Sequence, residues 1–332
     1  IDGVRPAAYC PYLIIETDLL SAKLIETPLL SFINHMTMVA SKASVVVEAA
    51  REQGGAVLEF GTRRTHPDAA IDAALAAYIG GCSATSNVGA HIAHGVPMAG
   101  TMDHFAVQAW EMPNTTRSHS EQAYFEAFHK TFPDRGILLV DTYDTFGEHT
   151  GIRSAVAATD GGPWGIRIDS QLTRDNIWRA RNLLDELGAS HTKIFVSGGM
   201  DEHSIRALGD APVDGYGVGE RIVTSPDAPV GVGAVGKLSL VADRPTMKLS
   251  RGSGKATLPG HLQCWRTATG DVVGLADEKR DGTPLLQPVW TEHGRIKGPA
   301  LADVQAHATA CLAAMSDEQK RRLATKGKIL GR

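Results

Sequence analysis

Between residues 55 and 225, short apolar runs alternate with helix-period segments, and this alternation restricts the possible folds more than any other feature of the chain. Ala56 to Phe60, Gly136 to Thr142, Trp164 to Asp169, Lys193 to Ser197 and Gly215 to Val218 read as strands, with a further short piece near Val96 to Thr101. Leu172 to Leu187 reads as a helix: Ile177, Ala180, Leu184 and Leu187 recur on one face, and Gly188 follows as a stop. Asp201 is a fitting N-cap for another helix. Strands and helices alternating about every 25 residues predict parallel β-α units, whose sites are built where the strands end.

Outside this stretch the pattern changes. Residues 232 to 290 carry Gly, Pro and short alternating segments, Val235 to Val241 and His261 to Thr267 among them, which suit an antiparallel sheet. Residues 300 to 326 read as helical, with Val304, Ala308, Cys311, Leu312 and Met315 on one face, and Ser316 to Gln319 resembles a capping box opening a second helix. Pro6 to Ile15 and Leu19 to Leu30 read as a strand-containing lead-in to a helix from Asn34 to Arg51. The predicted organisation is therefore 1–54 as the first part of a second domain, 55–225 as a barrel-like β/α domain, 226–300 as the antiparallel part of the second domain, and 301–332 as terminal helices.

With 332 residues, 43% of them apolar, the chain can bury one large core or two closely packed ones. A net charge of -4 argues against a broad nucleic-acid or anionic-membrane surface, and no apolar run approaches the roughly 20 residues of a membrane span. Cys10, Cys82, Cys264 and Cys311 lie far apart without a CxxC pair, so neither a disulfide framework nor a zinc site is expected; a reduced, cytoplasmic protein is.

The polar residues gather at the strand ends. Arg63 and Arg64 stand behind the first strand and ahead of Pro67; paired guanidinium forks match phosphate or carboxylate, and equally an ordinary salt-bridge pair. As neighbours on an extended segment they would point in opposite directions. Ser197-Gly198-Gly199 and Gly217-Val218-Gly219 are turns whose bare amides can cradle an anion, though neither has dinucleotide or Walker spacing. Asp141, Asp144 and Asp169 end very apolar strands, where a carboxylate can hold Mg²⁺, orient a histidine, stabilise a cation or simply cap a helix. His104 follows a short apolar run; a lone histidine is usually structural or solvated. His91 and His94 lack a third ligand, and Cys82 lacks an adjacent base.

Taken together, "LEFGTRRTHP" (58–67), "AYIGGCSATSNVGA" (77–90), "GVPMAGTMDH" (95–104), "LLVDTYDT" (138–145), "GIRIDS" (165–170), "SGGMDE" (197–202), "GYGVGERIVTS" (215–225) and "KLSRGSGKATLPGHLQCWR" (248–266) resemble, in order, the motifs of the nicotinate phosphoribosyltransferases, a group that includes nicotinamide-using relatives. The resemblance implies a partial β/α barrel with a second α/β domain, and a head-to-tail homodimer with shared active sites. It implies transfer of phosphoribose from phosphoribosyl pyrophosphate to nicotinate, with Mg²⁺ and with ATP as coupled co-substrate. It assigns Phe60 to ring stacking, Arg63 to phosphate, Ser86 to the ring carboxylate, Arg167 and Asp169 to base and ribose, and Ser197 to Gly199 with Gly217 and Gly219 to the 5'-phosphate. His104 would be transiently phosphorylated, with Asp141 hydrogen-bonding it.

Three departures stand out. The family commonly continues past Asp169 as Asp-Ser-Gly-Asp, where this chain has Gln171 and Leu172. Glu220 replaces a small or hydroxyl residue beside the second turn. Ile1 corresponds to a point inside the family's first domain, so either the chain is a fragment, or another polypeptide completes the protein, or the base site differs. Alternatives to the nicotinate reading are another base, nicotinamide or quinolinate, and a weakened paralogue that binds nucleotide as a regulatory or assembly subunit; Ser86 leans toward an anionic base because a hydroxyl can donate to its carboxylate.

Overall fold

The computed structural model describes residues 10–111, 116–225, 227–228, 233–249 and 256–316. They fall into two compact units: the described residues from Met36 to Ala228, and those from Cys10 to His35 with Gly233 to Ser316. The larger unit is built on six parallel strands, β1 (Ala56–Glu59), β2 (Ala84–Thr85), β3 (Ile137–Leu139), β4 (Gly165–Ile168), β5 (Lys193–Ser197) and β6 (Gly215–Val218). Their order, β2-β1-β6-β5-β4-β3, is that of a partial (β/α) barrel, with β1 inserted between the earliest and latest partners. Register places Glu59 opposite Thr85 and Val218, Ser197 opposite Gly217, and Arg167 opposite Phe195 and Leu139, so all strand ends used below share one edge.

The apolar strands form the core because they are buried on both faces: Leu138, Leu139, Ile166, Ile194, Val196 and Val218 are all inaccessible to solvent. Each such side chain contributes roughly 1.5–3 kcal/mol by leaving water, and truncating Ile166 to Ala would cost about 2–5 kcal/mol. Around the sheet run α1 (Leu19–Glu52), α2 (Pro67–Ile79), α3 (Val88–His94), α4 (His104–Ala109), α5 (Arg117–Thr131), α6 (Ile152–Ala157), α7 (Arg174–Glu186), α8 (Glu202–Ala207) and α9 (Glu220–Val223). Helix α7 buries Ile177, Ala180, Leu183 and Leu184, starts at the Thr173 cap and is followed by Gly188 at φ +80°. Helix α8 starts at the expected cap, Asp201, whose carboxylate accepts from the amides of His203 and Ser204.

In the smaller unit, Leu262–Thr267 pairs antiparallel with Gly270–Leu275 and with Thr283–Pro284, and α10 (Leu301–Ala313) buries Ala308. The described segments Cys10 to His35 and Gly233 to Ser316, on either side of the larger unit in sequence, thus share this second unit. Of Val235 to Val241 only Leu240–Val241 pairs, with Arg244–Pro245. The capping box expected from Ser316 to Gln319 lies largely outside the described residues, as do residues 250–255 of the last motif.

Four expectations need correction. Leu19 to Leu30 is helix, not a strand-containing lead-in: α1 runs for 34 residues, through Pro28. By length and composition alone α1 would also pass for a membrane span, contrary to the sequence reading, yet Val39 to Ala50 is largely core. Thr62-Arg63-Arg64 is a 3-10 turn rather than an extended segment, so the two arginines do not simply alternate. Finally, Cys10 and Cys264, 254 residues apart, form a disulfide within the smaller unit where no pairing was anticipated.

Candidate active site

At the edge where β3, β4 and β5 end, two carboxylates and two hydroxyls lock together. The Asp141 side chain is almost fully buried; its Oδ2 accepts from the Asp169 amide at 2.9 Å and from the Ser170 hydroxyl at 2.6 Å. Asp169 in turn accepts a hydrogen bond from Ser197, through its Oδ1. This chain of bonds crosses three adjacent strands. It leaves Asp169 Oδ2 facing His104 Nε2 at 3.9 Å and Asp141 Oδ1 facing it at 4.0 Å. Among the described residues, Asp141 Oδ1 accepts no hydrogen bond although it is buried.

His104 opens α4, whose cap is Asp103, and its side chain is 40% exposed. The expected Asp141 hydrogen bond is not made; Thr142 Oγ1 bonds Nδ1 at 3.1 Å instead. Two carboxylates beside Nε2 favour a proton there, which makes Nδ1 the lone-pair nitrogen and the Thr142 hydroxyl its donor. Arg167, on β4 beneath the same edge, donates to Thr101 Oγ1. Burial pulls its guanidinium below the ordinary range, opposed by Asp169, Asp141 and Asp103 and reinforced by Arg63.

A second cluster forms at the ends of β1 and β6. Phe60 donates its amide to Val218 O at 2.9 Å and lays its ring against Gly217, where an added Cβ would lie 2.6 Å from two ring carbons and 3.0 Å from Ser197 Cβ. Ser197 therefore joins the two clusters. Gly198 and Gly199 take left-handed φ values of +98° and +68°, and a Cβ on Gly198 would lie 2.2 Å from Asp169 O. Only glycine permits that backbone to close onto the carboxylate strand. Among the described residues, the amides of Gly198, Gly199 and Gly219 donate no hydrogen bond, so three N–H groups beside Asp169 and Phe60 stand available to an anion.

Glu59, like Thr142, is a residue that sequence reasoning missed. It is 1% exposed; its two oxygens accept from the Gly61 amide and the Thr85 hydroxyl, while its carbonyl accepts the Ser86 amide at 2.9 Å. Burial raises its pKa, opposed by those two donors. One buried acid thus holds both the turn that presents Arg63 and the turn that presents Ser86. The only signal for it was a charged residue inside an apolar run.

Arg63 and Ser86 are exposed at this end of the sheet. Arg64 Nη1 lies 3.8 Å from Glu220 Oε2, with both side chains at least half exposed. The carboxylate beside the second glycine turn therefore has a cationic partner. Asp144 serves a local turn, accepting the Phe146 amide at 3.0 Å. Cys82 is buried and its thiol is pushed up, by burial first and then by Glu59, which makes it a packing residue. His91 bonds Val96 O at 2.9 Å, and no group of three metal-ligating side chains occurs among the described residues.

No protein-family model matches the chain. A Mycobacterium tuberculosis H37Rv protein named nicotinate phosphoribosyltransferase pncB1 is 40% identical over 264 residues, 79% of this chain and 57% of that protein. The nicotinate phosphoribosyltransferase of Bacillus subtilis 168 is 34% identical over 352 residues, 94% of this chain and 69% of its own length. A crystal structure of human nicotinic acid phosphoribosyltransferase shares the fold, with a TM-score of 0.74 at 24% identity over 93% of this chain and 74% of that one. The chain spans 57% of the mycobacterial relative's length. A likeness of 34% sustained over 94% of the chain establishes that the chain belongs to the nicotinate phosphoribosyltransferase family.

Proposed function

We propose that this protein transfers phosphoribose from phosphoribosyl pyrophosphate to nicotinate, giving nicotinate mononucleotide and pyrophosphate. The observation that carries the reading is Asp169: one carboxylate faces His104, accepts from Ser197 and abuts the Gly198 turn. An oxocarbenium-like carbon develops positive charge as pyrophosphate leaves, and a carboxylate fixed beside an anion cradle stabilises that charge where it forms. The amides of Gly198, Gly199 and Gly219 take the 5'-phosphate. Phe60 stacks on the pyridine ring, Ser86 donates to its carboxylate, and Arg63 supplies charge for phosphate.

Coupling to ATP runs through His104. Its Nδ1 lone pair attacks the terminal phosphorus once the Thr142 hydroxyl turns away, ADP departs, and water later cleaves the nitrogen–phosphorus bond. Asp141 and Asp169 hold the proton at Nε2 throughout and offset the cation that forms. Magnesium fits this donor set as a companion of the substrate, because such ions use one or two carboxylates with substrate phosphates rather than a protein cage. Asp141, through its unpartnered Oδ1, and the partly exposed Asp169 would supply those carboxylates. When bound, it neutralises charge on the departing pyrophosphate.

A head-to-tail homodimer with shared sites goes with this reading, as does the absence of nucleic-acid or membrane partners; the Cys10–Cys264 bond does not fit the reduced, cytoplasmic setting expected from the sequence. The test is product formation by the full-length protein from phosphoribosyl pyrophosphate and Mg²⁺, with nicotinate, nicotinamide and quinolinate offered separately, with and without ATP. Nicotinate turnover supports the reading. No product from any base, or a preference for another base, overturns it. Full activity and undiminished ATP stimulation in His104→Ala overturn the phosphohistidine step alone.

A further inference from the structure

Helix α1 presents an apolar face to the core of the larger unit, with Val39, Ala40, Ala43, Val46 and Val47 all buried, and in the middle of that face stands Lys42 at 1% exposure. Its ammonium lies 2.8 and 2.7 Å from the two carboxylate oxygens of Glu202 and 3.1 Å from Asp227. Glu202 is itself buried, at 4% exposure. The positions of these two acids in the chain matter. Glu202 is the first residue of α8, directly after the turn Ser197 to Asp201, and Asp227 follows α9, which leaves the turn Gly217 to Gly219.

One buried cation therefore grips the chain just downstream of both glycine turns. The two turns leave paired strands, with Ser197 opposite Gly217, but beyond that pair the amides of Gly198, Gly199 and Gly219 make no hydrogen bond among the described residues that would fix their direction. Taking a lysine and a carboxylate out of water is costly, and an apolar side chain would fill the same core position without that cost, so fold stability alone does not account for the choice. What an ion pair of fixed geometry adds is a defined distance between the elements it joins. It also masks two negative charges that would otherwise lie behind an anion site.

We propose that Lys42 is a positioning residue for phosphate: by pinning Glu202 and Asp227 it fixes how the chain leaves the paired strand ends, and so the direction of the Gly198, Gly199 and Gly219 amides and the affinity for the 5'-phosphate of phosphoribosyl pyrophosphate. The inference rests on the reading that these turns hold that phosphate. Two variants of the full-length protein test it, Lys42→Met and the charge-balanced pair Lys42→Met with Glu202→Gln. Phosphoribosyl pyrophosphate binding is read by calorimetry without the base, alongside KM for each substrate and the melting temperature.

The expected result is a rise of about tenfold or more in Kd and KM for phosphoribosyl pyrophosphate in both variants, with KM for nicotinate within about twofold of wild type. Melting temperature should recover in the double variant while the affinity does not. Wild-type affinity for phosphoribosyl pyrophosphate in either folded variant overturns the proposal, as does recovery of affinity together with stability in the double variant. If the wild type itself binds no phosphoribosyl pyrophosphate, the reading of the turns fails and the inference falls with it.

Discussion

The ring of Phe60 and the bare Cα of Gly217 are packed so closely that a single added carbon would lie 2.6 Å from the ring. Strand β6 therefore sets the position of a side chain that belongs to β1. Gly217→Ala should tilt the ring and raise KM for nicotinate about tenfold, equivalent to ~1.4 kcal/mol, with a smaller effect on phosphoribosyl pyrophosphate. Steady-state kinetics with each substrate varied in turn decides it; an unchanged nicotinate KM would remove Phe60 from the base site.

Glu220 stands beside the second glycine turn and its charge is offset by Arg64 across 3.8 Å. Both groups are exposed, so their mutual stabilisation is small and sensitive to salt. Glu220→Gln should leave the melting temperature unchanged. At low ionic strength it should lower KM for phosphoribosyl pyrophosphate by about two- to threefold, because Arg64 becomes available to the phosphate, and the advantage should fade near 0.5 M salt, where the Debye length is only a few Å. Equal KM values at low salt would show that the carboxylate points away from the cradle.

Glu121 on α5 is fully buried, accepts the Gly151 amide at 2.8 Å, and has its pKa raised to about 7 by burial, with Asp141 adding to the rise. The folded state thus binds this proton more tightly than the unfolded chain does. Its contribution to stability is complete below the ordinary carboxylate pKa of about 4.5 and is lost as pH rises toward 7, amounting to on the order of 3 kcal/mol. Glu121→Gln, which cannot ionise, should gain stability relative to wild type across that window. Denaturant titrations from pH 5 to pH 8 would expose a constant difference if Glu121 does not ionise there.

Gln171 sits at φ +51°, in the left-handed region, exposed and bonded through its backbone carbonyl to Thr173 and Asn176. The family's usual glycine at this position meets no strain there, whereas a residue with a Cβ does. Gln171→Gly should therefore stabilise the protein by about 1 kcal/mol and leave catalysis intact. A fall in melting temperature would mean that the glutamine side chain contributes a contact of its own.

The Cys10–Cys264 bond closes a loop of 254 residues in sequence. In the chain-entropy limit such a closure contributes about 5 kcal/mol. Thiol titration of the unfolded, unreduced protein should count two thiols, rising to four after reduction, and Cys10→Ser should lower the melting temperature. Four thiols at the outset would show that the pair stays reduced, as a cytoplasmic location requires.

How far the sequence reached depends on which partners lie near in the chain. Strands β5 and β6 were bounded to the residue, because compact apolar runs are framed by Gly, Ser and Asp. The glycine turns and Asp169 were found at the expected edge for the same reason. Helix α1 was cut short because Leu19 to Leu30 carries scattered exposed Leu and Ile and a proline, which disguise helical period. The 3-10 turn at Arg63 depends on Glu59, whose second partner, Thr85, lies 26 residues away. Thr142 escaped notice because a hydroxyl beside a histidine carries no spacing signature, and the disulfide because its cysteines are separated by most of the chain.

Strand β1 finds its central neighbour only when β6 arrives, since Ala56 pairs with Gly215. During synthesis one side of β1 must wait, unpaired, while some 160 further residues emerge. The long wait makes the last pairing a slow, non-local step of folding and exposes an apolar edge to other nascent chains in the meantime. The protein's yield in a cell therefore depends on how quickly β6 is delivered, and a ribosome pause ahead of residue 215 would lengthen the period in which aggregation competes with folding.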